Sequence, residues 1–206
     1  MKIVVFGDSI SWGAFDGEQW WRVERLKAKW FEEWFHFSVY NYSISGNTTE
    51  GILRQLDSSI ETLLRIEPGE IICIFAIWSN DASLWNSTWN HSVEADIFTE
   101  NIQLLIKKAK KYTSRILFVS SLYADESLTV PVHRDNRYSY KNNEFATYMS
   151  IVKAFCDTAW VEFLDIQWVL SVQDLLDGLH PNAEGHRKVF KSVYKYLHAL
   201  HWLYVI

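Results

Sequence analysis

The run EIICIFAI at 70–77 limits the possible folds more than any other stretch of the sequence. It is almost wholly apolar and lacks the in–out alternation of a strand with one wet face. Such a strand needs cover on both sides, as in a parallel sheet with a helical layer above and below. Four more runs have strand character: KIVVF at 2–6, SVYNYS at 38–43, RILFVS at 115–120 and VEFL at 161–164. Between the runs, apolar residues recur at helical spacing. Ile52, Leu56, Ile60 and Leu63 form one stripe, Phe98, Ile102, Leu105 and Ala109 a second, and Val189, Val193, Leu197 and Leu200 a third. Val23, Leu26, Trp30 and Trp34 make a fourth, which assigns several of the eleven tryptophans to a core. Pro68-Gly69 ends a helix just ahead of the central strand. Strands alternating with helices imply βαβ crossovers, hence an α/β fold with a mostly parallel sheet between helical layers. The stretch 121–141 shows neither period, and a long loop of that kind is a candidate cover for a pocket.

The 206 residues read as one domain over 1–206, with no linker or internal repeat. A net charge of -5 disfavours non-specific nucleic-acid binding, and KKAKKY at 107–112 reads as the solvated end of a helix. No run approaches the roughly 20 apolar residues of a membrane span. No secretory signal precedes the first strand, so the four N-x-S/T sequons at Asn41, Asn47, Asn86 and Asn90 are expected to be chance. Cys73 and Cys156 lie in apolar contexts, as reduced buried thiols of a cytoplasmic protein would. Neither these nor the histidines at 36, 91, 133, 186, 198 and 201 have metal-ligand spacing, and those histidines are expected on the surface or on helix faces. No metal or cofactor is expected. The dinucleotide, P-loop and G-x-S-x-G fingerprints are absent from the sequence, which disfavours nucleotide binding and an ordinary α/β-hydrolase.

Ligands of open parallel sheets bind beyond the carboxyl ends of the strands. Four polar clusters fall there: GDSIS after the first run, SGNTT after the second, WSNDAS after the third, and DGLHPN between the last strand and the last helix. Acyl transfer needs a nucleophile, a base, a group that orients the base, and donors for the oxyanion. Ser9 is either a nucleophile on a sharp turn or the cap of the next helix. Asp177 and His180 are close enough for a loop to fold carboxylate against imidazole, and Pro181 suits a helix start. Gly46 can offer a backbone N–H or a left-handed turn, and Asn80 a side-chain amide or an Asx-turn. Trp12, Trp78, Trp85 and Trp89 stand beside these clusters, placed to wall a substrate pocket.

In this order and at these intervals, the four clusters resemble the sequence blocks of the SGNH (GDSL-type) hydrolases, from Gly7 to the helix after His180. The resemblance implies a flavodoxin-like three-layer α/β/α sandwich with five parallel strands ordered 2-1-3-4-5. It implies Ser9 as nucleophile, His180 as base and Asp177 as its orienter. It further implies oxyanion donors at the Ser9 and Gly46 backbones and the Asn80 side chain. The implied activity is metal-free hydrolysis of small carboxylic esters or thioesters through an acyl-enzyme. One position departs from the pattern. Trp78 stands where the third block usually has glycine, so its indole is expected to displace the loop or to enter the pocket and narrow the acyl site. An acyltransferase with the same triad and a non-catalytic binding domain are the competing readings, the second favoured by Trp78.

Overall fold

The computed structural model of the chain describes residues 1–16 and 38–203. The helical stripe expected over residues 23–34, His36 and the end of the apolar tail HWLYVI lie outside them. The apolar runs form β1 (Lys2–Gly7), β2 (Ser38–Asn41), β3 (Ile71–Ala76), β5 (Ile116–Val119) and β7 (Glu162–Leu164). They make one sheet in the order β2-β1-β3-β5-β7, with every neighbouring pair parallel. Counting only these five, the order is the expected 2-1-3-4-5. The short β4 (Leu84–Trp85) and β6 (Tyr138–Ser139) pair antiparallel outside the sheet.

Six helices accompany the strands among the described residues: α1 (Ser9–Trp12), α2 (Thr49–Ile66), α3 (Ala95–Ala109), α4 (Glu126–Thr129), α5 (Asn142–Ala159) and α6 (Ala183–Ala199). Alternation along each strand divides the core in two. Val4, Phe6, Cys73, Phe75, Ile116 and Phe118 face α2, α3 and α5, while Ile3, Val5, Ile72, Ile74, Leu117 and Val119 face α6. An aromatic row crosses the first face, with ring centroids 5.5 Å apart for Tyr42–Phe6, 5.7 Å for Phe6–Phe75 and 4.9 Å for Phe75–Phe118. Truncating one such fully buried ring costs about 3–5 kcal/mol.

The expected stripes at 52–63 and 98–109 lie on the buried faces of α2 and α3. The basic run begins in the last turn of α3, where Lys108 reaches across to Asp57 of α2 at 2.6 Å. The third stripe ends one turn early. Val189, Val193 and Leu197 are buried, but α6 stops at Ala199, and Leu203 fills the place expected for Leu200. Pro181 stands outside α6, whose cap is Asn182, its side chain accepting the Gly185 N–H at 3.0 Å. Helix α5 was not anticipated by a stripe, although Phe145, Tyr148, Val152 and Cys156 follow helical spacing on its buried face. The expected loop 121–141 contains α4 and β6, and the pairs Leu84↔Ser139 and Trp85↔Tyr138 tie it across the carboxyl rim.

Candidate active site

β1 ends at Gly7, and the Asp8 carboxylate caps α1 by accepting the Ile10 N–H at 2.9 Å. The capping duty therefore falls to Asp8, and the Ser9 hydroxyl is free for another partner. That partner comes from 171 residues away: Ser9 Oγ lies 2.8 Å from His180 Nε2.

The loop that delivers His180 is folded by Asp177. Its Oδ1 accepts the backbone N–H of Leu179 at 3.1 Å and of His180 at 2.8 Å. Gly178 between them sits at φ 84°, and a Cβ there would come within 2.7 Å of the Leu128 Cβ. Only glycine combines that left-handed backbone with so close a neighbour. The Gly178 carbonyl in turn accepts the Asp125 N–H at 2.7 Å, docking the loop against the start of α4. The same turn brings Asp177 Oδ2 to 2.9 Å from His180 Nδ1.

These contacts fix the proton positions. Burial pushes the Asp177 carboxyl up, but the hydrogen bonds it accepts from the His180 ring and backbone outweigh it and hold the group well below the usual carboxylate range. An ionised carboxylate only accepts, so Nδ1 carries the ring proton and Nε2 accepts from the Ser9 hydroxyl. Phe15 meets the His180 ring edge-on at 5.3 Å, and the histidine side chain is only 5% exposed.

A second group of residues lies in the loops that follow β2 and β3. Gly46 sits at φ 75° in the turn after β2, a conformation that favours glycine. Asn80 Nδ2 donates to the Asn47 carbonyl at 2.9 Å, while its Oδ1 accepts the Tyr140 hydroxyl at 3.1 Å. The Asn47 carbonyl, which can only accept, thereby sets which end of the amide is nitrogen, and one Nδ2 hydrogen is left over. Below them Asp81 Oδ1 accepts from the Thr49 hydroxyl at 2.5 Å and the Thr49 N–H at 3.0 Å, supplying α2 with the cap its own N-cap residue does not provide. Two clasps, Asn80–Asn47 and Asp81–Thr49, thus lock the second and third polar loops together.

The Trp78 indole does not turn toward solvent. Its φ is 122°, so the backbone takes the left-handed region that glycine favours. The indole is fully buried in the core, stacked on Phe163 at 6.4 Å. With no exposed surface the indole cannot wall an open pocket, contrary to the expectation for Trp78. Trp12 and Trp85 are 41% and 37% exposed on the carboxyl rim. Trp85 packs against Tyr138 at 4.4 Å, and Trp89 lies beneath the Lys141 ammonium at 4.6 Å. Of the other histidines, His186 is wholly buried, with Nε2 2.9 Å from the Ala14 carbonyl oxygen, and His91 lies 2.8 Å from Glu144.

Sequence reasoning passed over Phe15, Asp81, Arg134 and Tyr140. Arg134 Nη2 lies 3.0 Å from Asp177 Oδ2 and 3.2 Å from His180 Nδ1. Both nitrogens are donors here, so they converge on the same carboxylate oxygen. No periodic signal marks Arg134 or Tyr140, because their partners stand 46 and 60 positions away. Among the described residues no group of three or more His, Cys, Asp or Glu could hold a metal ion, and no helix is long and apolar enough to cross a membrane.

The sequence matches the family model for the GDSL-like lipase/acylhydrolase family over residues 5–188. The chain belongs to that family. This GDSL-like acylhydrolase has the family's three-layer fold, in keeping with its similarity to solved structures. The lipase/acylhydrolase from Enterococcus faecalis superposes with a TM-score of 0.72 at 22% identity, covering 95% of this chain and 94% of that one. A catalytic mutant of Axe2, an acetylxylan esterase from Geobacillus stearothermophilus, gives 0.69 at 18% identity, with 94% and 92% covered. LAE5, an alpha/beta hydrolase enzyme from the metagenome of Lake Arreo, gives 0.72 at 17% identity, with 99% and 96% covered. At these identities the likeness concerns the fold. No curated protein sequence matches the chain.

Proposed function

We propose that this GDSL-like acylhydrolase is a serine esterase that cleaves small, short-chain carboxylic esters or thioesters through an acyl-enzyme. The observation that carries the reading is the 2.8 Å contact between Ser9 Oγ and His180 Nε2, on an imidazole whose other nitrogen rests on Asp177. Ser9 Oγ attacks the ester carbonyl as His180 Nε2 takes its proton. The oxyanion is received by the Ser9 and Gly46 backbone N–H groups and the remaining Asn80 Nδ2 hydrogen. Losing one such donor costs about 2.7–4 kcal/mol of transition-state stabilisation. The imidazolium, steadied by Asp177, returns the proton to the leaving alcohol or thiol. Water then repeats the sequence on the acyl-enzyme, freeing the acid and Ser9. Two reduced, buried thiols fit a cytoplasmic setting. With Trp78 in the core, the binding-only alternative loses the feature that favoured it.

A fluorophosphonate probe tests the reading directly. Wild-type protein is expected to label at Ser9, with labelling lost in Ser9→Ala. Replacing His180 with Ala is expected to lower turnover of p-nitrophenyl acetate by orders of magnitude, and Asp177→Asn by less. An unlabelled wild type, or near-normal turnover without His180, sinks the proposal. A chain-length series of p-nitrophenyl esters then measures the acyl preference. Added acceptor alcohol separates hydrolysis from acyl transfer.

A further inference from the structure

Resting on the esterase reading, the surroundings of Arg134 bear on which esters the site selects. The guanidinium is held on two sides: Nη2 reaches Asp177 Oδ2 at 3.0 Å, and the planar group lies over the Phe15 ring, 5.2 Å from its centroid. The side chain is nevertheless 51% exposed. Guanidinium carries five N–H donors, and among the described residues Nε and Nη1 have no hydrogen-bond partner. Among the described residues, the acidic groups of the same segment are committed elsewhere. Asp135 is gripped by Arg137 at 2.8 and 2.6 Å, Asp125 caps α4, and Glu126 accepts the Asn142 N–H at 2.7 Å. Arg134 is left presenting a fixed, half-open fork beside the base.

The reaction decides which part of a substrate meets that fork. The leaving oxygen must receive its proton from His180 Nε2, so the alcohol half departs past the imidazole. The acyl oxygen points the other way, toward Gly46 and Asn80. Arg134 stands behind the same imidazole, at the Nδ1 side. On this reading the alcohol half, rather than the acyl chain, is the part of the substrate that leaves on the side of Arg134. Nε or Nη1, together with the second Nη2 hydrogen, forms a two-pronged edge that matches the two oxygens of a carboxylate or phosphate. Because Phe15 and Asp177 already hold the side chain, little ordering cost remains on binding. We propose that Arg134 is a specificity-determining residue that selects esters whose alcohol half carries an anionic oxyacid group.

The test uses 4-acetoxybenzoate and its methyl ester, which share one acyl group and differ in the charge of the leaving alcohol. The readout is the ratio of their kcat/KM values in wild type, Arg134→Gln and Arg134→Lys, so that any general effect through Asp177 cancels. In Arg134→Gln the carboxylate-to-methyl-ester ratio is expected to fall about tenfold or more, mainly through KM. Arg134→Lys is expected to keep part of the preference. The wild-type ratio is also expected to shrink with rising salt, because the fork is half-open to solvent. If both esters lose the same factor and the ratio stands, Arg134 only supports Asp177 and the proposal is overturned. If Ser9 labels but neither ester turns over, the same ratio is read from how well each ester protects the label. A wild type that neither labels nor turns over either ester fells the esterase reading, and this inference with it.

Discussion

Trp78 sets two costs against each other. A non-glycine residue at φ 122° carries backbone strain of about 1–3 kcal/mol. Removing a fully buried indole stacked on Phe163 costs about 3–5 kcal/mol. The second is larger, so Trp78→Gly, which restores the residue usual in the family, is expected to destabilise the protein by about 2 kcal/mol. Urea denaturation checks this: a midpoint equal to or above wild type would mean that strain dominates. Gly178 poses the reverse case, since alanine there meets both the left-handed backbone and the Leu128 side chain. Gly178→Ala is expected to move His180 away from Ser9 and lower kcat more than it raises KM, as read by steady-state kinetics.

The same loops matter as elements. Asp81 caps α2 from another segment, and burial pushes its carboxyl up to about 7, against the opposing hydrogen bonds from Thr49. An unfolded chain would titrate it near 3.9. The native form therefore holds this proton more tightly. That contribution to stability is present in full below about pH 4 and is lost as pH rises through about 7. Comparing urea midpoints at pH 5 and pH 8, wild type is expected to lose stability relative to Asp81→Asn. Parallel behaviour of the two proteins would remove Asp81 from the account. The elements themselves were largely readable in the sequence. Continuous apolar runs such as IICIFA have one stable environment, a strand covered on both faces, and the stripes of α2 and α3 admit one packing face each. Helix α5 carries no clean stripe because the partly buried Met149, Ile151 and Phe155 blur the boundary between its wet and dry sides. Contacts between loops left no trace. Nothing in the spacing of Tyr140 tells that its hydroxyl meets Asn80, nor in that of Arg134 that it meets Asp177.

Over the whole molecule, the two cysteines report on integrity. Cys73 and Cys156 are buried on the same face of the sheet, and burial, the main cause for both, pushes each thiol up to about 12. Neither offers thiolate at neutral pH. Native protein is expected to leave a thiol reagent such as dithionitrobenzoate unreacted and to release two equivalents on denaturation, matching the two cysteines of the sequence. Rapid reaction of one thiol in the native state would show that this face of the core opens locally.

Seven positions of chain, from Arg134 to Tyr140, touch both halves of the proposed chemistry: the guanidinium grips the carboxylate behind the proposed base, and the phenol holds the amide proposed to receive the oxyanion. Peeling that short span off the rim would disarm proton transfer and charge stabilisation in one stroke.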